Sequence, residues 1–283
     1  MANTAKTVFL LTLLTVILVG AGELLGGTGG AAAALVFAAL LNLGAYWFSD
    51  KIVLAQYGAH EIAPGEAPRV ERIVDGLVAR AGLPRPRIFV IPERQPNAFA
   101  TGRNPQHAAV AVTEGLLDLM NDDELAGVLA HELSHVRHRD ILIGSIAATI
   151  AGAVSFLATM AKWGAIFGGF GGDRDRDGGG VLGLLAMAIV APIAALLVQL
   201  AVSRSREYAA DAGAAELTGN PVGLARALRR LQTASQRVPM DASPATAHMF
   251  IVSPLCGRSF ASLFSTHPSI DDRVRRLVGE MPL

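Results

Sequence analysis

Four stretches of this chain run without a charged residue over lengths close to those a bilayer requires, and they restrict the folds open to it. Thr7 to Gly22 and Leu24 to Ser49 are separated only by Glu23, with glycines gathered at Gly26 to Gly30. Ile141 to Ala161 and Val181 to Val202 form a second pair, joined by a loop containing GGDRDRDGGG. A helix needs about twenty apolar residues to cross the hydrocarbon core, so each pair reads as a transmembrane hairpin, four helices in all. A cleaved signal peptide starting at Lys6 is the other reading of the first stretch, but the second apolar run follows at once and favours an uncleaved anchor. A buried hairpin of a soluble core is the other reading of the later pair. Runs this long without a charge are rare in soluble helices, and Pro192 is awkward in either version.

The remaining sequence is polar enough to fold in water. Across 283 residues, 52% are apolar and 17% charged, with a mean hydropathy of +0.42. That balance excludes both an ordinary soluble domain and an all-membrane chain. The 24 basic and 24 acidic residues cancel, so nothing argues for a nucleic-acid partner. The single Cys256 rules out an internal disulfide and fits a reducing compartment. If all four segments cross, residues 50 to 140 and 203 to 283 share one side with the N-terminus. Near the membrane that side carries Lys6, Lys51, Arg137, Arg139, Arg204 and Arg206, against Lys162, Arg174 and Arg176 opposite. The excess of positive charge makes the polar side cytoplasmic.

Within the polar parts, apolar residues at helical spacing predict a helix over Arg69 to Ala81, ended by Gly82 and Pro84. RIFVI at 87 to 91 and AAVAV at 108 to 112 read as strands, with NAFATGRNP between them a turn-rich connection. Asn121, with Glu124 three residues on, has the capping-box pattern that opens a helix. A further helix reaches about Leu217 and stops at Gly219, and Asn220 and Pro221 begin another. The expected fold class is thus mainly α, four transmembrane helices plus a cytoplasmic α+β domain with a small β-sheet. Its parts are a membrane hairpin over 1–50, polar segments over 51–140 and 203–283, and a second hairpin over 141–202.

One motif carries chemistry. HELSH at 131 to 135 is H-E-x-x-H. On a helix His131 and His135 lie about 40° apart and one turn along, with Glu132 inside the same arc of roughly 100°. Neutral imidazoles suit zinc, and a neighbouring carboxylate can take a proton from water. Two surface histidines on a solvated face are the plainer alternative. His138 stands about 10.5 Å along the axis from His131, too far for all three rings to share one ion, and Ile141 breaks the longer metzincin pattern. The hairpin supplies the missing ligand. His135 lies about 9 Å of helix before Ile141, and Glu207 about 7.5 Å after Val202, so both emerge at similar height. Glu207 is then the third ligand, and Asp211, one turn on, can accept the spare ring N–H of a ligating histidine.

NAFATG at 97 to 102, AHELSH at 130 to 135, SREYAAD at 205 to 211 and FSTHPSIDDR at 264 to 273, set between two apolar hairpins, resemble the HtpX family. These are integral-membrane zinc metalloproteases related to the prenyl endoproteases and the gluzincins. The resemblance covers nearly the whole chain. It implies a multi-pass protease of the bacterial inner membrane, its active site in the cytoplasm, cleaving misfolded or damaged membrane proteins. It also implies one Zn2+ per chain on His131, His135 and Glu207, with Glu132 as catalytic base. By similarity to the prenyl enzymes, Asn97 and His267 would line the substrate cleft, contacting peptide backbone or the developing oxyanion, with Arg273 nearby. Their plainer readings are a turn residue, a histidine fixed before Pro268 and a charge on a helix surface. A processing protease for one prenylated or otherwise defined partner, or a zinc-stabilised scaffold without turnover, stands as the alternative. His248 reads as a packed loop residue, DRDRDG at 173 to 178 as a solvated loop, and Arg226, Arg229 and Arg230 as a basic helix face toward lipid or water.

Overall fold

A computed structural model describes residues 2–151, 204–237, 246–252 and 268–279. The first helix, α1 (Ala2–Gln56), is not one straight rod. Gly27 takes φ 59°, a left-handed value that glycine reaches at little cost, and the chain turns back on itself there. A Cβ built on Gly22 would stand 2.5 Å from the Gly30 carbonyl oxygen, so the absence of a side chain lets the two arms close. Further from the turn, Asn42 Nδ2 donates to Thr15 Oγ1 at 2.9 Å and to the Leu11 carbonyl at 3.3 Å. These bonds pair the amide nitrogen inside an otherwise apolar hairpin, where an unmet donor is costly. Gly27–Gln56 is the one segment among the described residues long and apolar enough to cross a membrane, while Thr7–Gly20 and Ile141–Ala151 are apolar but shorter. Most of the second expected hairpin lies outside the described residues, so the described residues do not establish a count of four spans.

Beyond α1 the chain is mainly helical around one small mixed sheet. The strands are β1 (His60–Glu61), β2 (Arg87–Ile91), β3 (Ala98–Gly102) and β4 (Ala108–Thr113), in spatial order β1-β2-β4-β3. β2 and β4 are parallel, and β3 returns antiparallel along β4 to form one edge. The strand β3 corrects the reading of residues 97 to 105 as a connection. Ala98 to Gly102 are all buried, and the turn-forming residues that signalled a loop are confined to the hairpin end at Gly102 to Pro105. Gly102 has φ 130°, and Asn104 accepts the His107 N–H at 3.0 Å to close that end.

Helices follow as α2 (Pro68–Ala81), α3 (Glu114–Leu119), α4 (Asp122–Arg137), α5 (Ile141–Ala151), α6 (Arg204–Thr218), α7 (Pro221–Arg237) and α8 (Ile270–Val278). α2 buries Val70, Val74, Leu77 and Val78 and stops at Gly82, which is left-handed at φ 63°. Asn121 and Glu124 form the expected capping box at the start of α4. One face of the sheet packs with α2, α4 and α7 in the main core, through Val110, Val112, Leu129 and Leu228. The other face is closed by the end of α1 and by Phe250, with Tyr57, Phe99 and Phe250 stacked edge to face or tilted. A third cluster joins Ile143, Ile146 and Ile150 of α5 to Leu14 of α1, so α5 lies against the apolar hairpin.

Candidate metal centre

The candidate site lies where α4 gives way to α5. His131 is 1% and Glu132 2% exposed, and both face a cleft also lined by His135, Glu207, Ala100 and Gly144. The turn after α4 is tight. Asp140 N–H donates back to the His135 carbonyl at 2.9 Å, and Arg139 between them has φ 59°, a left-handed conformation that costs a non-glycine residue about 1–2 kcal/mol. The turn brings the Asp140 carboxylate to 3.2 Å from His135 Nδ1. On the other side, α6 packs directly on α4. A Cβ on Gly213 would come within 2.6 Å of Ser134 Oγ, so glycine at 213 permits the approach that carries Glu207 over the histidine pair.

His131, His135 and Glu207 offer ligand atoms all within 4.8 Å of one another. The two Nε2 atoms are 3.3 Å apart, close to the roughly 3.4 Å between two nitrogens on a tetrahedral zinc with bonds of about 2.0–2.1 Å. Glu207 oxygens stand 3.8 Å from His131 Nε2 and 3.6 Å from His135 Nε2. The donor set, two neutral-capable imidazoles and one carboxylate with room for water, fits a catalytic zinc site.

Behind the ligands lies a relay of charge. His131 Nδ1 is 3.0 Å from Asp211 Oδ1, and Arg273 binds both oxygens of Asp211, Nε at 2.9 Å and Nη2 at 2.7 Å. Burial alone would raise the Asp211 pKa, but the Arg273 guanidinium and then His131 bring it down to about 2. Burial pulls His135 down, yet the Asp140 hydrogen bond and the charges of Glu207 and Glu132 lift it to about 8 in the absence of a metal. Glu132 is pushed up by burial first and by Glu207, against the pull of His131, His135 and the Ala100 backbone.

The structure therefore gathers His131, Glu132, His135, Glu207 and Asp211 in one place. Arg273 joins them from behind. It is 1% exposed, and besides Asp211 and the Ile251 carbonyl at 3.1 Å it reaches Glu207 at 3.8 Å and the His131 ring at 3.3 Å from behind the cleft wall. Asn97 is likewise fully buried and spans to Val252, donating to its carbonyl at 2.8 Å. His267 lies outside the described residues. Sequence reasoning missed Asp140, whose only signal was its place one residue before the apolar run of α5. It also missed Arg206, which lines the cleft with a buried Nη1 that has no hydrogen-bond partner among the described residues. His248, read as packed, reaches the Gly144 carbonyl at 3.2 Å and borders the same cleft.

A buried H-E-x-x-H helix, a glutamate from a second helix and an edge strand alongside define a zinc-dependent peptidase. The chain belongs to peptidase family M48, whose sequence pattern matches residues 64–281. It is 60% identical over 282 residues to the protease HtpX homolog of Desulfatibacillum aliphaticivorans, covering 100% of this chain and 91% of that one. It is 60% identical over 276 residues to the HtpX homolog of Syntrophotalea carbinolica, covering 97% and 98%. Its fold is similar to the crystal structure of S. mikatae Ste24p, with TM-score 0.53 and 20% identity over 98% of this chain and 66% of that one.

Proposed function

We propose that the chain is a membrane-anchored zinc endopeptidase that hydrolyses peptide bonds of misfolded or damaged membrane proteins from the cytoplasmic face of the bacterial inner membrane. The observation that carries this reading is the convergence of His131, His135 and Glu207 beside buried Glu132, at the foot of a helix that packs on an apolar hairpin. The division into two membrane hairpins, 1–50 and 141–202, with the protease domain shared between 51–140 and 203–283, belongs to the same proposal. So do the four spans; α1 extends the first hairpin's second arm to Gln56.

His131, His135 and Glu207 would hold the zinc, which supplies Lewis acidity toward water and the scissile carbonyl. Asp211 and Asp140 fix the two imidazoles, each accepting a ring N–H and leaving the other nitrogen for the ion. Glu132 takes the proton of the attacking water and returns it to the leaving amine, and its raised pKa suits both transfers. An extended substrate pairs with the edge of β3 near Ala100, which borders the cleft. Toward Ala98 the edge is already taken, because Ile251 N–H donates to the Ala98 carbonyl at 3.2 Å.

The test is cleavage of an unfolded model protein by detergent-purified wild type and Glu132→Gln, with zinc counted in both. About one zinc per chain in each, and cleavage by the wild type alone, is the expected result. Activity retained by Glu132→Gln would overturn the assignment of the base. Equal zinc with cleavage by neither would turn the reading toward a narrow processing protease.

A further inference from the structure

The face of α1 left exposed among the described residues is apolar up to one level and then changes character. Leu35, Val36, Phe37, Leu40 and Leu43 are each 46–65% exposed, a continuous apolar surface suited to lipid rather than water. Three aromatics, Tyr46, Trp47 and Phe48, follow and are also exposed, and Lys51 is the first cation beyond them. Aromatic side chains followed by a base mark the head-group level of a membrane.

At that level the structure has a second cavity, separate from the metal centre, of about 420 Å³, lined among others by Trp47, Phe48, Lys51, Arg85, Arg87 and Arg103. Its cations are not equivalent. Arg85 is engaged by Asp75 at 2.6 Å and Glu71 at 3.2 Å, and Arg87 by Asp50 at 2.8 Å and Glu61 at 3.8 Å. Among the described residues neither Arg103 nor Lys51 has a carboxylate partner. Instead the Arg103 guanidinium lies 4.6 Å from the centre of the Trp47 ring, and the Lys51 ammonium 5.7 Å from that of Phe48. Arg103 is also held in place. A Cβ on Gly102 would collide with the His107 backbone, and Asn104 caps the following turn, so the β3–β4 hairpin end has little freedom.

We propose that this cavity binds the head group of an anionic phospholipid. Arg103 and Lys51 answer its phosphate, Trp47 and Phe48 pack on its glycerol, and its acyl chains lie along the exposed face of α1. A planar guanidinium already stacked on an indole presents its N–H fork to phosphate oxygens at low entropic cost. A lipid rather than free phosphate is the occupant because the cavity opens on the aromatics that end the apolar face. The bound lipid would tie the β3–β4 hairpin, whose other end borders the metal centre at Ala100, to the level of the membrane surface. The inference rests on reading α1 as embedded in lipid.

The full-length protein, transferred from neutral detergent into nanodiscs of phosphatidylcholine with a minor share of phosphatidylglycerol, would be examined by native mass spectrometry for lipid retained after release. The wild type should keep phosphatidylglycerol in preference to phosphatidylcholine. Lys51→Gln and Arg103→Gln should each weaken retention about fivefold, while Arg226→Gln on α7 should not. Lys51 sits at an exposed helix end, so its variant reports even if Arg103→Gln fails to fold. Equal retention of the two lipids, or unchanged preference in Lys51→Gln, would overturn the site while leaving the membrane reading of α1 intact. Thermal stabilisation by inorganic phosphate alone, equal to that by phosphatidylglycerol, would overturn the lipid as occupant. A protein that takes up no lipid and stays soluble without detergent would overturn the membrane reading itself.

Discussion

Replacing Arg273 with methionine should cost more stability than removing it together with its partner. The guanidinium makes two hydrogen bonds to Asp211, at 2.9 and 2.7 Å, and one to the Ile251 carbonyl, all inside the protein. Arg273→Met leaves the Asp211 carboxylate buried and unneutralised, and breaking a buried pair in this way costs about 3–5 kcal/mol. The Asp211 pKa gives a smaller figure from the same interaction. Its fall from the model-compound value of 3.8 to about 2 corresponds to about 2 kcal/mol. The larger figure includes the cost of stranding the charge, so a loss of about 3 kcal/mol is expected, a drop of roughly 6–12 °C in melting temperature for a chain of this size. The pH dependence has a definite sign. Because the folded pKa lies below the unfolded one, the wild type holds this stability above about pH 4 and loses it as pH falls toward 2. The deficit of the variant should therefore be largest at neutral pH and shrink as pH falls, starting above pH 4 because burial without Arg273 raises the Asp211 pKa. Asp211→Asn combined with Arg273→Met should recover at least half of it. Melting in detergent, with chelator present so that zinc does not mask the effect, measures each protein. A single variant that melts within 2 °C of wild type, or a double variant that simply adds the two losses, would refute the reasoning.

Three other perturbations test different parts of the site. Gly213→Ala places a Cβ 2.6 Å from Ser134 Oγ and should push α6 off α4 at a cost of about 1–3 kcal/mol, with weaker zinc retention. Ser134→Ala in the same chain should restore much of both, and equal melting of the single and double variants would count against the contact. Arg206→Gln should keep its zinc but lower kcat/KM on peptide substrates about tenfold or more, the worth of a charged hydrogen bond to substrate; an unchanged kcat/KM would mean that Arg206 does not face substrate. In chelator-stripped protein, His135 has a folded pKa of about 8 against 6.5 unfolded. Its contribution to apoprotein stability should be complete below about pH 6.5 and fade as pH rises through 8. Zinc affinity should climb over the same interval as the competing proton leaves, measured by competition with a colorimetric chelator, and a flat profile would contradict the Asp140 contact.

Much of the site was legible because its geometry follows helix periodicity. His131, Glu132 and His135 share an arc by spacing alone, and the capping box at Asn121 and Glu124 fixes where that helix starts. Glu207 and Asp211 were reachable only by treating the apolar run between them and the histidines as a hairpin that returns to the same height. What spacing cannot reveal is direction after a turn. Asp140 reaches His135 because Arg139 takes a left-handed φ, and an arginine gives no sequence sign of that conformation. The same blindness applies to Asn97 and Arg273, whose long-range partners, Val252 and Asp211, no local pattern announces. The strand β3 was missed for a related reason. Its Ala-Phe-Ala-Thr-Gly is short, has buried residues on both faces, and lies beside a dense cluster of turn formers, so no alternation marked it.

The arrangement around His131 also has a consequence in time. Its neighbours Glu132 and His135 are made with it, but Asp211 comes much later and Arg273 stands 142 positions after His131. A chain leaving the ribosome with only α4 complete holds the histidine pair without the third donor, without the carboxylate that orients His131, and without the cation that keeps that carboxylate ionised. The complete donor set therefore exists only once α6 has been made, and its supporting cation only with α8. A half-made copy, itself an unfolded polypeptide at the membrane, lacks the third donor until its own synthesis has reached α6.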